Sequence, residues 1–201
     1  MKNVVKKLFT LVFHRRSSQT DITRLLFPEY EIGKETYGKP IVLSWGSKST
    51  LRIGSYCSIG GGVQILLGGN HRIDWVTTFP FPARWKEASA ITGHPASKGD
   101  IVIEHDIWIG RQSVILSGVT IHTGAVIGCN SVVSRNVPPY TIVAGNPARE
   151  IKKRFSESQI ARLLASHWWE LDREAVVDLL PLLCSTAIDA FCDTVEKRQK
   201  H

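Results

Sequence analysis

The chain predicts an all-β solenoid of very short parallel strands, interrupted by one long loop and followed by helices. Three observations predict it. An aliphatic residue returns every sixth position at Ile53, Ile59 and Ile65, and again at Ile103, Ile109, Ile115, Ile121, Ile127 and Val133. The two runs are out of phase: Ile103 lies 38 residues beyond Ile65, which is not a multiple of six. After Phe155 the six-residue period gives way to helical spacing. Neither an α-helix nor an ordinary strand repeats every six residues. A stack of short coils does, each burying its core against the next.

The six-residue unit has a simple physical basis. Four places after most of the aliphatic positions comes a smaller side chain: Cys57, Val63, Ser113, Val119, Ala125, Ser131. That residue and the next aliphatic one are two apart, so in an extended chain they point the same way, inward. Glycine follows the aliphatic residue in Ile53-Gly54, Ile59-Gly60, Ile109-Gly110 and Ile127-Gly128, where the chain must turn a corner.

At 201 residues the chain suits one domain, or one domain with a small appendage. Its hydrophobic content of 43% is that of a soluble globular protein with a core. A net charge of +7 fits anionic partners without choosing among nucleic acid, membrane and phosphorylated cofactors. No nucleic-acid module is recognisable. The four cysteines, Cys57, Cys129, Cys184 and Cys192, are far apart and form no CxxC pair. A reduced, cytoplasmic setting fits them better than a disulfide framework.

Residues 1–30 read as an amino-terminal segment. Val4, Val5, Leu8, Phe9, Val12 and Phe13 lie at helical spacing, with Lys6, Lys7, Arg15 and Arg16 around them. The apolar run is too short for a signal peptide or a spanning helix. Packing on the body or a partner subunit is the first reading, and rest on a membrane surface is the second. From Glu31 to Arg52 the period is imperfect. Ile41 and Trp45 are expected to share one repeat, Leu51 takes the inner slot of the next, and Ser47 stands where an aliphatic residue belongs. The solenoid is expected over 31–154, with a loop over 66–102 thrown out of it. Long loops carried by a rigid scaffold are where function usually sits.

The loop contains Asn70-His71-Arg72, then Asp74-Trp75 and Phe79-Pro80-Phe81. Before it stands Ile53-Gly54-Ser55-Tyr56-Cys57-Ser58-Ile59-Gly60. After it come Ile107-Trp108-Ile109-Gly110, Gly145-Asn146-Pro147-Ala148, Trp168-Trp169 and Pro181-Leu182-Leu183-Cys184-Ser185. This ordered set, over roughly residues 30 to 190, resembles the xenobiotic acetyltransferases. These are the hexapeptide-repeat chloramphenicol and streptogramin acetyltransferases and their sugar-acetylating relatives. The resemblance implies a left-handed parallel β-helix, acetyl-CoA as cosubstrate, no metal, and a homotrimer with active sites between adjacent subunits.

The resemblance also names residues. His71 matches the family's general base, and imidazole is chemically suited to take the acceptor's proton during attack on a thioester. Matches to the cofactor groove are Trp108, Gly110, Arg111, Cys129, Ser134, Arg135, Arg149 and Lys152. The basic run Arg149, Lys152, Lys153, Arg154 suits the phosphates of CoA; a solvated charge run is the plainer alternative for its last two members. Cys57 is expected to be buried, which argues against an acyl-cysteine intermediate. His94 reads as loop. His105 and His122 should face outward, and Glu104-His105-Asp106 cannot all point one way as metal ligands.

From Phe155 a capping box at Ser156 and Gln159 opens a helix striped by Ile160, Leu163 and Leu164. A second stripe follows at Val176, Val177, Leu179 and Leu180. Residues 155–201 are expected to close the solenoid's open end, with a polar tail from Glu196 that frays. For the acceptor, chloramphenicol-acetylating members of the family carry a longer, tyrosine-rich insertion before the Ile-Gly lead-in. Here Tyr30 to Ile53 is short. The reading is therefore a sugar hydroxyl or amine in surface-polysaccharide metabolism, met by Tyr37, Asp74, Trp75 and Phe79 with Lys34, Glu35 and Trp85 nearby. Antibiotic O-acetylation is the alternative, and a noncatalytic docking solenoid is the reading of a different class.

Overall fold

A computed structural model describes residues 22–46 and 48–199. The expected amphipathic segment at residues 1–16, and Ser47, lie outside the described residues. A short helix α1 (Ile22–Leu26) leads to β1 (Glu31–Ile32), β2 (Ile41–Leu43), β3 (Leu51–Ile53), β4 (Ser58–Ile59) and β5 (Gln64–Leu66). The excursion follows, holding one helical turn, α2 (Phe81–Arg84), and a 3-10 turn at Lys86–Ala88. The chain re-enters at β6 (Ile101–Ile103) and continues through β7 (Trp108–Ile109), β8 (Val114–Leu116), β9 (Thr120–Ile121), β10 (Val126–Ile127) and β11 (Val132–Val133). It leaves through β12 (Thr141–Gly145) and β13 (Ala148–Lys153) into helices α3 (Glu157–Ser166), α4 (Arg173–Leu183) and α5 (Ile188–Gln199).

The strands form three sheets that the chain visits in rotation: β1-β3-β6-β9, then β4-β7-β10-β12-β13, then β2-β5-β8-β11. Pairing is parallel except where β13 folds back antiparallel on β12. Val114 pairs with Val132 and Trp108 with Val126, so one coil takes eighteen residues. Ser58 pairs with Trp108 and Gln64 with Val114, fifty residues apart. Eighteen of those fifty are the coil and thirty-two are the excursion, so the register resumes as if the loop were absent.

The core follows the period. All nine aliphatic positions from Ile53 to Val133 are at most 4% exposed, and Cys57, Val63, Ser113, Val119, Ala125 and Ser131 are buried with them. Ser113 and Ser131 satisfy their hydroxyls by donating to the carbonyls of Gly110 and Gly128, which removes the cost of burying them. At the edge between the first and second sheets, Glu35, Tyr56, Asp106 and Tyr140 take left-handed φ values of 57°, 61°, 54° and 50°, and Gly124 takes 75°. Left-handed backbone is costly for a side-chain-bearing residue. Down this edge Tyr56, Asp106, Gly124 and Tyr140 each donate their N–H to a carbonyl of the preceding coil: Lys34, Ser55, His105 and Thr123 respectively. The coil-to-coil bonds hold the corner in place. At Gly124 a Cβ would sit 2.4 Å from the Tyr140 ring.

The structure corrects five expectations. In the first coil Ile41 and Trp45 are both exposed, and Val42 pairs with the inward Ile65. The offset there is 23 residues (Ile41 to Gln64) rather than eighteen, which moves the phase by one place. The loop is narrower than 66–102, because Leu66, Ile101 and Val102 belong to strands. Of the α4 stripe, Val176 and Leu179 are buried, whereas Val177 and Leu180 are largely exposed; residues three apart share a helix face and their immediate neighbours turn away. The helices do not cap the solenoid's end, where β13 covers β12. They run along the corner of left-handed residues: Trp168 packs on Tyr56, Trp169 stacks on His105, and the Lys34 ammonium donates to the carbonyls of Glu170 and Leu171. The polar tail is helical through Gln199, since Phe191, Cys192 and Val195 are buried and Arg162 pairs with Asp189, Asp193 and Glu196.

The capping box at Ser156 and Gln159 is present, with Ile160 and Leu163 buried beneath it. Among the described residues no helix is long and apolar enough to cross a membrane, and no cluster of three or more His, Cys, Asp or Glu side chains has metal-binding geometry.

Candidate active site

The loop leaves the prism at the edge between the third and first sheets, after β5, and is clamped at its base. Asn70 and Ala96 exchange backbone N–H···O bonds of 3.0 and 2.9 Å. The Asn70 side-chain amide donates to Ser117 Oγ at 3.2 Å, and the Lys98 N–H donates to the same buried hydroxyl. Ser117 stands at the equivalent corner one coil later. The first residue of the Asn70-His71-Arg72 motif is thereby tied to the rigid scaffold, and His71 follows immediately.

His71 is exposed, and its Nδ1 lies 2.8 Å from the carbonyl oxygen of Thr78. A carbonyl only accepts, so Nδ1 carries the proton and Nε2 is left with its lone pair. This is the tautomer and orientation that a general base needs. Beyond it, Arg72 forks onto Asp74 through Nε at 2.7 Å and through Nη2, and its guanidinium lies 5.2 Å over the Trp75 ring. The Arg72 hydrogen bonds, aided by Asp74's own backbone N–H, hold the Asp74 carboxyl down to about 2. Both Asp74 oxygens are engaged by Arg72, so in this chain Asp74 acts first as the brace of the loop. Phe79, Phe81 and Trp85 form an aromatic ladder with centroid spacings of 4.8 and 4.9 Å, and Phe79 and Trp85 are exposed.

The residues expected in the cofactor groove divide between two edges of the prism. Trp108, 60% exposed, is on the second sheet, and Gly110, Arg111 and Cys129 follow at the corner leading to the third. These corners stack tightly: a Cβ on Gly110 would lie 2.5 Å from Cys129 N, and Asn130 N–H donates to the Arg111 carbonyl. Arg149 and Lys152 lie exposed on β13, beside this corner. Ser134 and Arg135 follow β11, at the other end of the third sheet and on the edge from which the His71 loop departs. Tyr37 bridges to Ser58 in the second sheet, in line with Trp108 and apart from Asp74, Trp75 and Phe79. Within one chain, then, His71 shares an edge with Ser134 and Arg135 but not with Trp108, Gly110, Arg111, Cys129 or Tyr37.

The other candidates take structural places. Cys57 is buried, and burial pushes its thiol up to about 12, so it stays protonated. His105 accepts the Ser55 N–H at Nδ1, His122 pairs with Glu104 at 3.0 Å, and Asp106 faces Arg154 at 3.7 Å, so residues 104–106 point to three different partners. A cleft of about 790 Å³ runs between the first sheet and α3, lined by His105, His167 and Trp169, and holds none of the residues expected to bind acceptor or cofactor.

His94, expected to be an ordinary loop residue, stands beside His71. The His94 ring meets His71 edge-on, with centroids 5.0 Å apart and planes at 81°. Both His94 ring nitrogens are buried without a hydrogen-bond partner among the described residues. Its one sequence signal is the Gly93-His94-Pro95 turn, where Gly93 has a φ of 98°.

No family model matches the chain. Among curated proteins, the chloramphenicol acetyltransferase of Escherichia coli is 46% identical over 146 residues, covering 69% of this chain and 68% of the relative. The chloramphenicol acetyltransferase of Klebsiella aerogenes is 37% identical over 180 residues, covering 88% and 79%. Among solved structures, a hexapeptide-repeat-containing acetyltransferase of Vibrio cholerae O1 biovar eltor, complexed with acetyl coenzyme A, is 30% identical with a TM-score of 0.50. That match covers 63% of this chain and 61% of the other, less than two thirds of its length. With more than two thirds of the chain matched at 37–46% identity, the chain belongs to the hexapeptide-repeat acetyltransferases of the xenobiotic acetyltransferase family.

Proposed function

We propose that this enzyme moves the acetyl group of acetyl-CoA to a hydroxyl of a small drug-like acceptor of the chloramphenicol class, with His71 as general base. The observation that carries the reading is the His71 Nδ1–H donated to the Thr78 carbonyl, which leaves Nε2 free to accept. In the proposed step the acceptor oxygen attacks the thioester carbonyl as Nε2 takes its proton. The tetrahedral intermediate collapses, the C–S bond breaks, and the imidazolium returns the proton to the departing CoA thiolate. Cys57, protonated and buried, supports direct transfer over an acyl-cysteine route.

The acceptor class rests on the two relatives named for chloramphenicol, and it displaces the sugar reading that the short Tyr30–Ile53 stretch suggests. A sugar hydroxyl remains the second reading, favoured by the exposed aromatic ladder of Phe79 and Trp85, which could stack on a pyranose ring. Measuring kcat/KM side by side on chloramphenicol, a streptogramin A and a set of sugar nucleotides decides between them. Sugar turnover without drug turnover would reverse the order. For the base, His71→Ala is expected to lower turnover by ~10²–10⁴ while the protein stays folded. Near-normal turnover would remove His71 from the role.

We also propose that the enzyme is a homotrimer with shared sites. Two observations support this. The loop exposes Ile73, Val76, Phe79, Trp85 and Ile91, more large apolar surface than an isolated chain usually presents in one region. The expected cofactor residues divide between the two edges that flank the third sheet, so a neighbour related by rotation would bring its Trp108–Cys129 edge to this chain's His71 edge. Arg135, Arg149 and Lys152 would then meet the CoA phosphates. Sedimentation equilibrium should give three times the chain mass; an active monomer would contradict the arrangement.

A further inference from the structure

His94 is held against His71 by the loop's own construction. The Asn70–Ala96 backbone pair joins the arm that carries His71 to the arm that carries His94. Gly93 permits the close approach: a Cβ there would lie 3.0 Å from the Arg72 guanidinium and 3.6 Å from the Trp75 ring. The loop therefore closes on itself around two imidazoles. One of them, His71, has its Nδ1 committed to Thr78. The other has neither nitrogen committed among the described residues, although both are buried.

Burying ring nitrogens without partners is costly. Desolvation, and secondarily the neighbouring His71, lowers the His94 pKa, so the ring is neutral near pH 7. A neutral imidazole offers one N–H donor and one acceptor nitrogen. A hydroxyl, which both donates and accepts, is the group that suits it. With the rings 5.0 Å apart, a molecule whose reacting hydroxyl meets His71 can place a second oxygen, two or three carbons away, at His94.

We propose that His94 is a specificity-determining residue that hydrogen-bonds a second hydroxyl of the acceptor, so that the preferred acceptors are 1,2- or 1,3-diols. This rests on the acetyl-transfer reading above. It requires a site to reject an analogue that leaves its buried polar group unpaired, the situation in which discrimination is largest.

The test compares chloramphenicol, which contains a 1,3-propanediol, with its analogues lacking one hydroxyl, on the wild-type enzyme, His94→Phe and His94→Asn. Should sugars prove to be the substrates, the same comparison uses a sugar nucleotide and its deoxy analogues. Wild type is expected to favour the diol by about 10- to 100-fold in kcat/KM over the analogue that keeps only the reacting hydroxyl. His94→Phe should lose that preference, mainly through the acceptor KM, with the KM for acetyl-CoA unchanged. His94→Asn, which keeps a donor and an acceptor, should recover part of it. A wild-type enzyme indifferent to the second hydroxyl overturns the proposal, whether or not the variants fold. So does a His94→Phe enzyme that slows both acceptors equally, which would make His94 a packing residue. If wild type binds acetyl-CoA but acetylates no hydroxyl, the acetyl-transfer reading fails and this inference with it. Transfer with the diol preference intact in His94→Phe sinks the inference alone.

Discussion

Two glycines at successive corners of the same edge should respond in opposite directions to the same substitution. Gly110 is buried at the end of β7, and its N–H donates to the Ile127 carbonyl of the next coil at 2.8 Å. A Cβ there would lie 2.5 Å from Cys129 N, 2.8 Å from Cys129 Cα and 2.9 Å from Gly128 C. All three atoms are backbone, so no rotamer change relieves the overlap. Ordinary contact begins near 3.4 Å, leaving a shortfall of 0.9 Å at the closest atom. Two coils held ~4.8 Å apart by hydrogen bonds must separate to absorb it. Overpacking of this kind costs ~1–3 kcal/mol, and rigid backbone puts Gly110→Ala near the top of that range. At ~2–4 °C per kcal/mol for a chain of this size, the Tm should fall by about 6–12 °C. Gly61 has no atom within 4 Å of the corresponding position and no left-handed φ. Gly61→Ala should therefore act through the unfolded chain, adding ~0.4–1 kcal/mol and about 1–4 °C. Scanning calorimetry at one protein concentration, without acetyl-CoA, gives both numbers; ligand or altered assembly would shift them by mass action. Equal shifts for the two variants, or a Gly110→Ala enzyme within 2 °C of wild type, would refute the stacking argument.

The exposed cations of β13 should matter for binding and not for chemistry. Arg149→Glu with Lys152→Glu is expected to raise the KM for acetyl-CoA more than it changes kcat, because phosphate contacts lie away from the reacting carbonyl. An unchanged KM in an intact assembly would return both residues to the solvent. The thiols give a separate check. Cys129 and Cys184 are exposed while Cys57 and Cys192 are buried, so an aromatic disulfide reagent should label two sites in the native enzyme and four in denaturant. With its thiol raised to about 12 by burial, Cys57 should stay unreactive as pH climbs from 7 to 10. Acetyl-CoA should slow labelling at Cys129. Rapid native modification of Cys57 would mean that the prism opens far more readily than its packing allows.

The parts of the fold that the sequence foretold are those where one residue's environment repeats. Ile103 to Val133 are inward because each coil copies the one before, so the period alone decides burial. In the first coil the copy fails. The 23-residue offset hides the phase, and Val42 rather than Ile41 turns inward. The last turn of α5 was hidden for another reason. From Glu196 onward the polar sequence looks like a fraying tail, and it takes Arg162, on α3, to account for Glu196. The site shows the same division. His71 announces itself through its neighbours in sequence. His94 lies 23 residues further on and acquires meaning only when the Asn70–Ala96 pair folds the loop double. The split of Trp108 and His71 between two edges likewise belongs to the winding of the chain and not to any local motif.

The thirty-two-residue excursion leaves the coil register untouched on both sides, and this makes it a replaceable cassette. Ser58 meets Trp108, and Gln64 meets Val114, in the same alignment that uninterrupted coils show. Lengthening, shortening or recoding residues 67–100 asks neither the prism to refold nor the Trp108–Cys129 edge to move. On the proposed placement of acceptor and cofactor, selection for a new acceptor can thus work on about a sixth of the chain while the cofactor edge is inherited unchanged. A library confined to that window, with Asn70, His71 and Ala96 held fixed, should yield folded variants of altered acceptor range at a far higher frequency than mutations spread over the whole gene.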